Sequence, residues 1–192
     1  MARLATSNSR RTVLSRAISL AGLLGLLLVP HPLPAQVSAV SEEYRLKAVF
    51  VYRFPQFVDW PAEALEGRTR VDICVTRPNP FGRSLQDLAE GEQLAGRPMA
   101  VREIDPAAPL DDCHVLFVSS TGATLRRVLM RAVTLPVLTV GEGSEFLEAG
   151  GIIRLRLVDR RIRFDVNAAA AARARLRLRS QLLQLALEVR GT

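Results

Sequence analysis

The sequence is short of most of what hydrolytic, metal or nucleotide chemistry requires. Histidine occurs twice, at His31 and His114, and cysteine twice, at Cys74 and Cys113. With one histidine outside the N-terminal leader segment, a zinc site lacks ligands unless both cysteines join it. No Gly-x-Ser-x-Gly elbow is present, and a serine triad would have to use His114, for which no other local arrangement suggests a paired nucleophile and base. Gly141, Glu142 and Gly143 look like part of a phosphate loop, but the third glycine of a dinucleotide fingerprint and the lysine of a P-loop are missing. Asp111 and Asp112 are adjacent, so on an extended backbone they point to opposite sides and form no acid and base pair. They read as a solvated loop, and His114 reads as a core or strand-edge residue. No enzyme activity, metal or cofactor is expected. No internal repeat and no long low-complexity linker divides the chain.

A membrane-spanning run is also lacking. The uncharged apolar stretch at residues 17–29 falls short of the roughly 20 residues needed to cross a bilayer. It follows Arg3, Arg10, Arg11 and Arg16 and leads into a proline-broken segment ending at Ala35 or Ala39. Residues 1–39 therefore read as a cleavable signal peptide, cut after Ala35 or Ala39, and residues 40–192 as one exported domain. Removing the four leader arginines reduces the formal charge from +7 to +3, which leaves little basic excess to suggest nucleic acid as a partner. Lys47 is the only lysine among 26 basic residues, a bias that reads as compositional habit. In an oxidising compartment an even pair of cysteines favours a disulfide, with two buried free thiols as the alternative. A bridge here would stabilise the fold by about 3 to 4 kcal/mol in the chain-entropy picture.

The pattern of the remaining chain alternates strand and helix. Ser41 can cap a helix with Glu42 and Glu43 in its first turn, Leu46, Val49, Phe50 and Phe57 near one face, and Pro55 to end it. Residues 63–70 read as a loop. Val71, Ile73 and Val75 alternate with Asp72, Cys74 and Thr76, a strand closed by Pro78, Asn79 and Pro80. A short helix over residues 81–90, a strand over 99–104, a doubly covered central strand over 115–119, a helix over 125–132 and a strand over 136–140 follow. Residues 141–149 read as a turn with one helical turn at most. Residues 153–157 and 162–166 alternate with period two about Asp159 and Arg160, which makes an antiparallel hairpin. Asn167 then caps a helix, residues 173–179 alternate with Leu176 and Leu178 on one side, and Ser180 can cap a final helix to Val189. The expected class is α/β: a single domain with a mostly parallel sheet flanked by helices on both faces, an antiparallel C-terminal hairpin at its edge and a terminal helix.

Two features suit recognition. Arg154, Arg156, Arg161 and Arg163 share one face of the hairpin, either as a surface for an acidic protein, lipid headgroup or phosphate, or as a solvated edge protected by charge. Trp60 beside Pro61 is either a core plug or an exposed anchor for a partner.

Taken in order, Tyr44 to Lys47, Phe54, Phe57-Val58-Asp59-Trp60-Pro61, Ile73-Cys74-Val75, Pro80-Phe81-Gly82, Cys113-His114-Val115-Leu116-Phe117-Val118, Pro136 to Val140, Gly150-Gly151-Ile152-Ile153, Arg163-Phe164-Asp165-Val166-Asn167 and Ser180-Gln181-Leu182-Leu183 resemble the YfiR family of periplasmic regulators. The likeness covers nearly the whole exported chain. It implies a non-enzymatic periplasmic protein that holds an inner-membrane diguanylate cyclase inactive through its periplasmic sensor domain. It further implies relief by an outer-membrane lipoprotein, an effect on cyclic di-GMP and biofilm formation, and a homodimer. The family pattern places a cysteine pair at Cys74 and Cys113. A second pair found in some members near Gly150 has no counterpart here. A small-ligand or adaptor module serving another membrane signalling system is the alternative.

Overall fold

The computed structural model describes residues 41–191, so the expected signal peptide and its cleavage point lie outside the described residues. The first element, α1 (Glu42–Arg53), starts where expected: the Ser41 hydroxyl accepts the Tyr44 N–H at 3.3 Å, and Glu42 and Glu43 meet the positive end of the helix. Pro55 ends it in a short 3-10 turn, Phe54–Phe57. Its buried face differs from the expected one. Lys47, Ala48, Val51 and Tyr52 are buried, whereas Leu46 and Val49 are 45% and 40% exposed. The helix is turned by the Tyr44 contact with Phe81 and by a carboxylate that draws Lys47 inward.

Then come β1 (Val58–Asp59), α2 (Ala62–Leu65), β2 (Val71–Thr76), α3 (Ser84–Ala89), β3 (Gln93–Leu94), β4 (Arg97–Ile104), β5 (Val115–Val118), α4 (Gly122–Ala132) and β6 (Leu138–Gly141). The C-terminal third supplies β7 (Ile153–Val158), β8 (Arg161–Asn167), α5 (Ala168–Arg173), β9 (Arg177–Leu178), α6 (Ser180–Leu185) and β10 (Glu188–Arg190). The main sheet has the order β10-β8-β7-β6-β5-β2-β4-β3 and is parallel except at β7/β8 and β3/β4; β1 and β9 form a separate antiparallel pair. The α/β class and the mostly parallel sheet are as expected. α2 replaces part of the expected loop, and α3 begins late because the Asn79 side chain accepts the Phe81 N–H and holds a turn before it.

Alternation along the strands sorts two cores. Val71, Ile73, Val75, Val115, Phe117, Leu138 and Val140 pack with α1, α3, α5 and α6, while Leu116 and Val118 pack with Leu125, Val128 and Leu129 of α4. β2 is buried at all six positions, because both faces are covered and its polar residues find partners inside. Cys74 of β2 and Cys113, just before β5, form a disulfide with Cα atoms 5.7 Å apart. Pairing of β2 with β5 brings them together, as the sequence requires.

The hairpin turns on Asp159 and Arg160, whose φ values of 49° and 58° match a two-residue turn with both residues left-handed. It is not the sheet edge. The last helix stops at Leu185, and Val189 lies in β10, which pairs in parallel with β8. The alternation of Glu188, Val189 and Arg190 covers three residues, too few to stand out against the leucine-rich helix before it.

Between β6 and β7 the chain folds over the Phe146 ring, which is fully buried between the backbones of Gly141 and Gly151. A methyl group on either glycine would overlap the ring. Gly151→Ala is expected to lower the unfolding free energy by about 1–3 kcal/mol, read as a fall in the urea midpoint at constant slope. An unchanged midpoint would show that the ring is free to leave its slot.

Candidate functional site

The strand order reverses between β2 and β5, and in open α/β sheets the crevice beyond the carboxyl ends at such a point is the usual ligand position. Here it is a cleft of about 400 Å³ over Phe117, walled by Tyr44, Pro78, Pro80 and the Ser119–Thr121 turn, with Glu142 at its rim. The cleft's own groups are largely engaged with one another. Thr76 Oγ1 accepts the Ser119 N–H at 2.8 Å, and the Ser119 hydroxyl donates to the Thr76 carbonyl at 2.9 Å, which clamps the two central strands. The Gly122 N–H at the start of α4 donates to Glu145 Oε1 at 2.6 Å, and Arg126 Nη1 lies 3.2 Å from the other oxygen of that carboxylate. A carboxylate of the chain thus occupies the helix end that would otherwise favour a phosphate.

Glu142 is likewise committed. Its Oε2 accepts the Tyr44 hydroxyl at 3.1 Å, and its Oε1 lies 2.5 Å from Lys47 Nζ, an ionic contact without directed hydrogen-bond geometry. Glu43 meets the same ammonium from one turn earlier in α1. Burial alone would lower the Lys47 pKa, but the two carboxylates outweigh it and hold the group above its ordinary value. For Tyr44, burial and then the Glu142 charge raise the phenol pKa. The phosphate-loop likeness of Gly141 to Gly143 therefore carries a carboxylate turned to a lysine instead of an anion cradle.

The sequence pointed elsewhere for partner contacts. Register sets Arg154 opposite Asp165, Arg156 opposite Arg163 and Val158 opposite Arg161, so the arginines do share one face. Arg154 departs from the expectation that all four are available to a partner. It is 8% exposed and holds the fully buried Asp165 Oδ2 through Nε at 2.8 Å and Nη2 at 2.6 Å, with Nη1 3.3 Å from the Ser144 carbonyl. Arg156 reaches the same oxygen at 3.3 Å from its more exposed position. Arg161 and Arg163 are exposed, and neither makes an ion pair among the described residues. β10 adds Arg190, paired at 2.5 Å with Glu188, whose own pKa is held below the usual carboxylate range by that hydrogen bond. Sequence reasoning missed Glu188, Arg190 and the buried role of Asp165. The last was within reach: a two-residue turn at Asp159 and Arg160 puts Asp165 across from Arg154.

Trp60 stands at the other end of the strands. It is half-buried, donates from Nε1 to the Pro55 carbonyl at 3.3 Å, and meets the His114 ring edge-on at 6.2 Å. The structure does not bring it to the arginine face. His114 is buried as expected, with Nδ1 accepting the Asp72 N–H at 3.1 Å and Nε2 3.1 Å from the Ala64 carbonyl, so the neutral ring carries its proton on Nε2. Asp111 and Asp112 form an exposed loop held by Arg68, with 2.6 Å to Asp112 Oδ1 and 2.8 Å to the Asp111 carbonyl.

Burial, the dominant effect, holds the His114 pKa below its ordinary 6.5. The unfolded chain then takes up a proton as the pH falls through about 6.5, while the folded chain does not until lower pH. Stability contributed by the neutral ring is complete above that value and is lost as the pH falls toward the folded pKa. His114→Asn is expected to flatten this acid limb in urea unfolding measured across pH. Parallel profiles for the two proteins would show that another group sets it.

Residues 44–187 match the model of a protein family described as YfiR/HmsC-like. No curated protein matches the chain significantly.

Proposed function

The chain belongs to the YfiR/HmsC-like family, and on that premise we propose that it is a periplasmic regulator that represses an inner-membrane diguanylate cyclase through the cyclase's periplasmic sensor domain. Cyclic di-GMP level and biofilm formation are the outputs. The family match across residues 44–187 carries this reading. Two structural observations support it. The buried Cys74–Cys113 bridge suits an oxidising compartment. No helix among the described residues is long and apolar enough to cross a membrane.

Repression needs no chemistry on this chain. It needs stronger binding to the inactive form of the sensor than to the active form. A tenfold preference is worth about 1.4 kcal/mol, and moving a balanced two-state receptor almost entirely to one side takes a few times that. An outer-membrane lipoprotein that relieves repression would compete for this chain, and a homodimer would present the same surface twice. The cleft at the strand ends supports a second reading, in which a small molecule tunes an adaptor serving another signalling system.

Deletion of the gene is expected to raise cellular cyclic di-GMP and surface attachment, and the wild-type gene supplied in trans should reverse both. Replacing Cys74 and Cys113 by Ser should reproduce the deletion in part, because losing the bridge costs about 4 kcal/mol for a loop of 39 residues. Unchanged cyclic di-GMP in the deletion strain would refute the regulatory reading. The ligand reading is checked by thermal shift of the purified protein against amino acids and nucleotides, where the absence of any shift counts against it.

A further inference from the structure

Mostly parallel sheets are ordinarily covered on both faces. Here β7, β8 and β10 are covered on the α1 side, where Phe50 and Phe54 pack on Phe164. On the other side, everything beyond the buried Arg154 opens to solvent at Arg156, Arg161 and Arg163. Arg156 stands directly opposite Arg163 on the ladder, and like charges so placed are destabilising. The packing of the hairpin gives no reason for it, since the buried side is served by Leu155, Ile162 and Phe164. The one carboxylate within the hairpin's arginine face, Asp165, is fully buried and used from above by Arg154 and Arg156. On the adjoining strand Glu188 is taken by Arg190. Positive charge is thus left uncompensated at the positions that face outward.

We propose that this open sheet face is the docking surface for an acidic segment of a partner protein, with Arg156, Arg161 and Arg163 receiving its carboxylates. The proposal rests on the regulatory reading above and specifies the chemistry of the partner. Arg154 does not contact the partner; it fixes Asp165, which in turn holds Arg156 upright. A protein is favoured over a lipid surface for two reasons. Arginines set at ladder positions, with Arg156 directly opposite Arg163 and their Cβ atoms about 5 Å apart, suit discrete carboxylates taken by two parallel hydrogen bonds. The face also offers nothing to enter a bilayer: Val158 is half-buried, and the exposed Leu157 lies on the opposite side of the hairpin.

The probe is a fluorescein-labelled, glutamate-rich peptide of about a dozen residues, titrated by anisotropy into the disulfide-intact exported chain at low salt, where surface charge is least screened. Wild-type protein is expected to bind it saturably. The Arg161→Glu/Arg163→Glu double variant is expected to bind at least tenfold more weakly with a melting temperature no lower than that of wild type, since a glutamate at position 163 would face Arg156, and to gain affinity for a lysine-rich peptide. Arg45→Glu/Arg83→Glu, with the same charge change on other surfaces, is expected to bind as wild type. The proposal is overturned if wild type does not bind the acidic peptide, or if both double variants lose affinity equally. It is also overturned if phosphatidylglycerol vesicles, and not the peptide, are bound through Arg161 and Arg163. In cells, a deletion phenotype fully complemented by R161E/R163E would overturn this surface and leave the regulatory reading standing. A deletion without phenotype would remove that reading and leave the peptide result to decide the surface.

Discussion

The pairing of β2 with β5, buried on both faces, is the constraint from which the rest of the molecule follows. Neither strand has a side that water can reach, so every backbone polar group must be met within the sheet and every side chain must be apolar or partnered. That requirement explains the residues that look misplaced in β2. Asp72 is held by Arg70 and Arg102, Thr76 is tied to Ser119, and Cys74 is consumed in the bridge to Cys113. It also explains His114, just before β5, whose two ring nitrogens serve backbone groups of β2 and α2. A residue that resembles a catalytic candidate in the sequence is therefore a spacer between α2 and the central strands.

Charge is taken inside at two further places, and each joins elements distant in sequence. Lys47 ties α1 to the turn after β6, and Arg154 ties β7 to β8 through Asp165. Interior ion pairs of this kind add little net stability over apolar substitutes, but removing one partner leaves an uncompensated charge. Their effect is on geometry. Lys47 sets which side of α1 faces the core, and so leaves Leu46 and Val49 outward. Asp165 draws Arg154 down and leaves its neighbours as the outermost groups of the sheet face.

Most of the architecture was legible in the sequence because strands and helices here obey their own periods. The Asp159-Arg160 hairpin, the Asn167 cap and the doubly covered run at Val115 to Val118 could all be read from local pattern. What could not be read depended on partners far along the chain. A lysine on an amphipathic helix is ordinarily assigned to solvent, and only Glu142, 95 positions later, reverses that assignment for Lys47. Trp60 and the arginines could be named only as candidates for recognition, and their placement at opposite ends of the strands follows from topology alone. β10 escaped because three residues carry too little alternation to compete with the leucines of α6.

The cover that β10 gives to β8 bears on how the protein keeps from adhering to its own copies. The strand that covers β8 is made from residues 188–190, the last strand of the sheet in chain order among the described residues. Uncovered, β8 would present a bare row of amide and carbonyl groups, an arrangement apt to recruit a strand from another chain. A three-residue strand thus serves as a seal on that edge. Without residues 188–190 the core and the bridge would keep their residues, while the seven-residue β8 would become a longer edge, open to a strand from another copy.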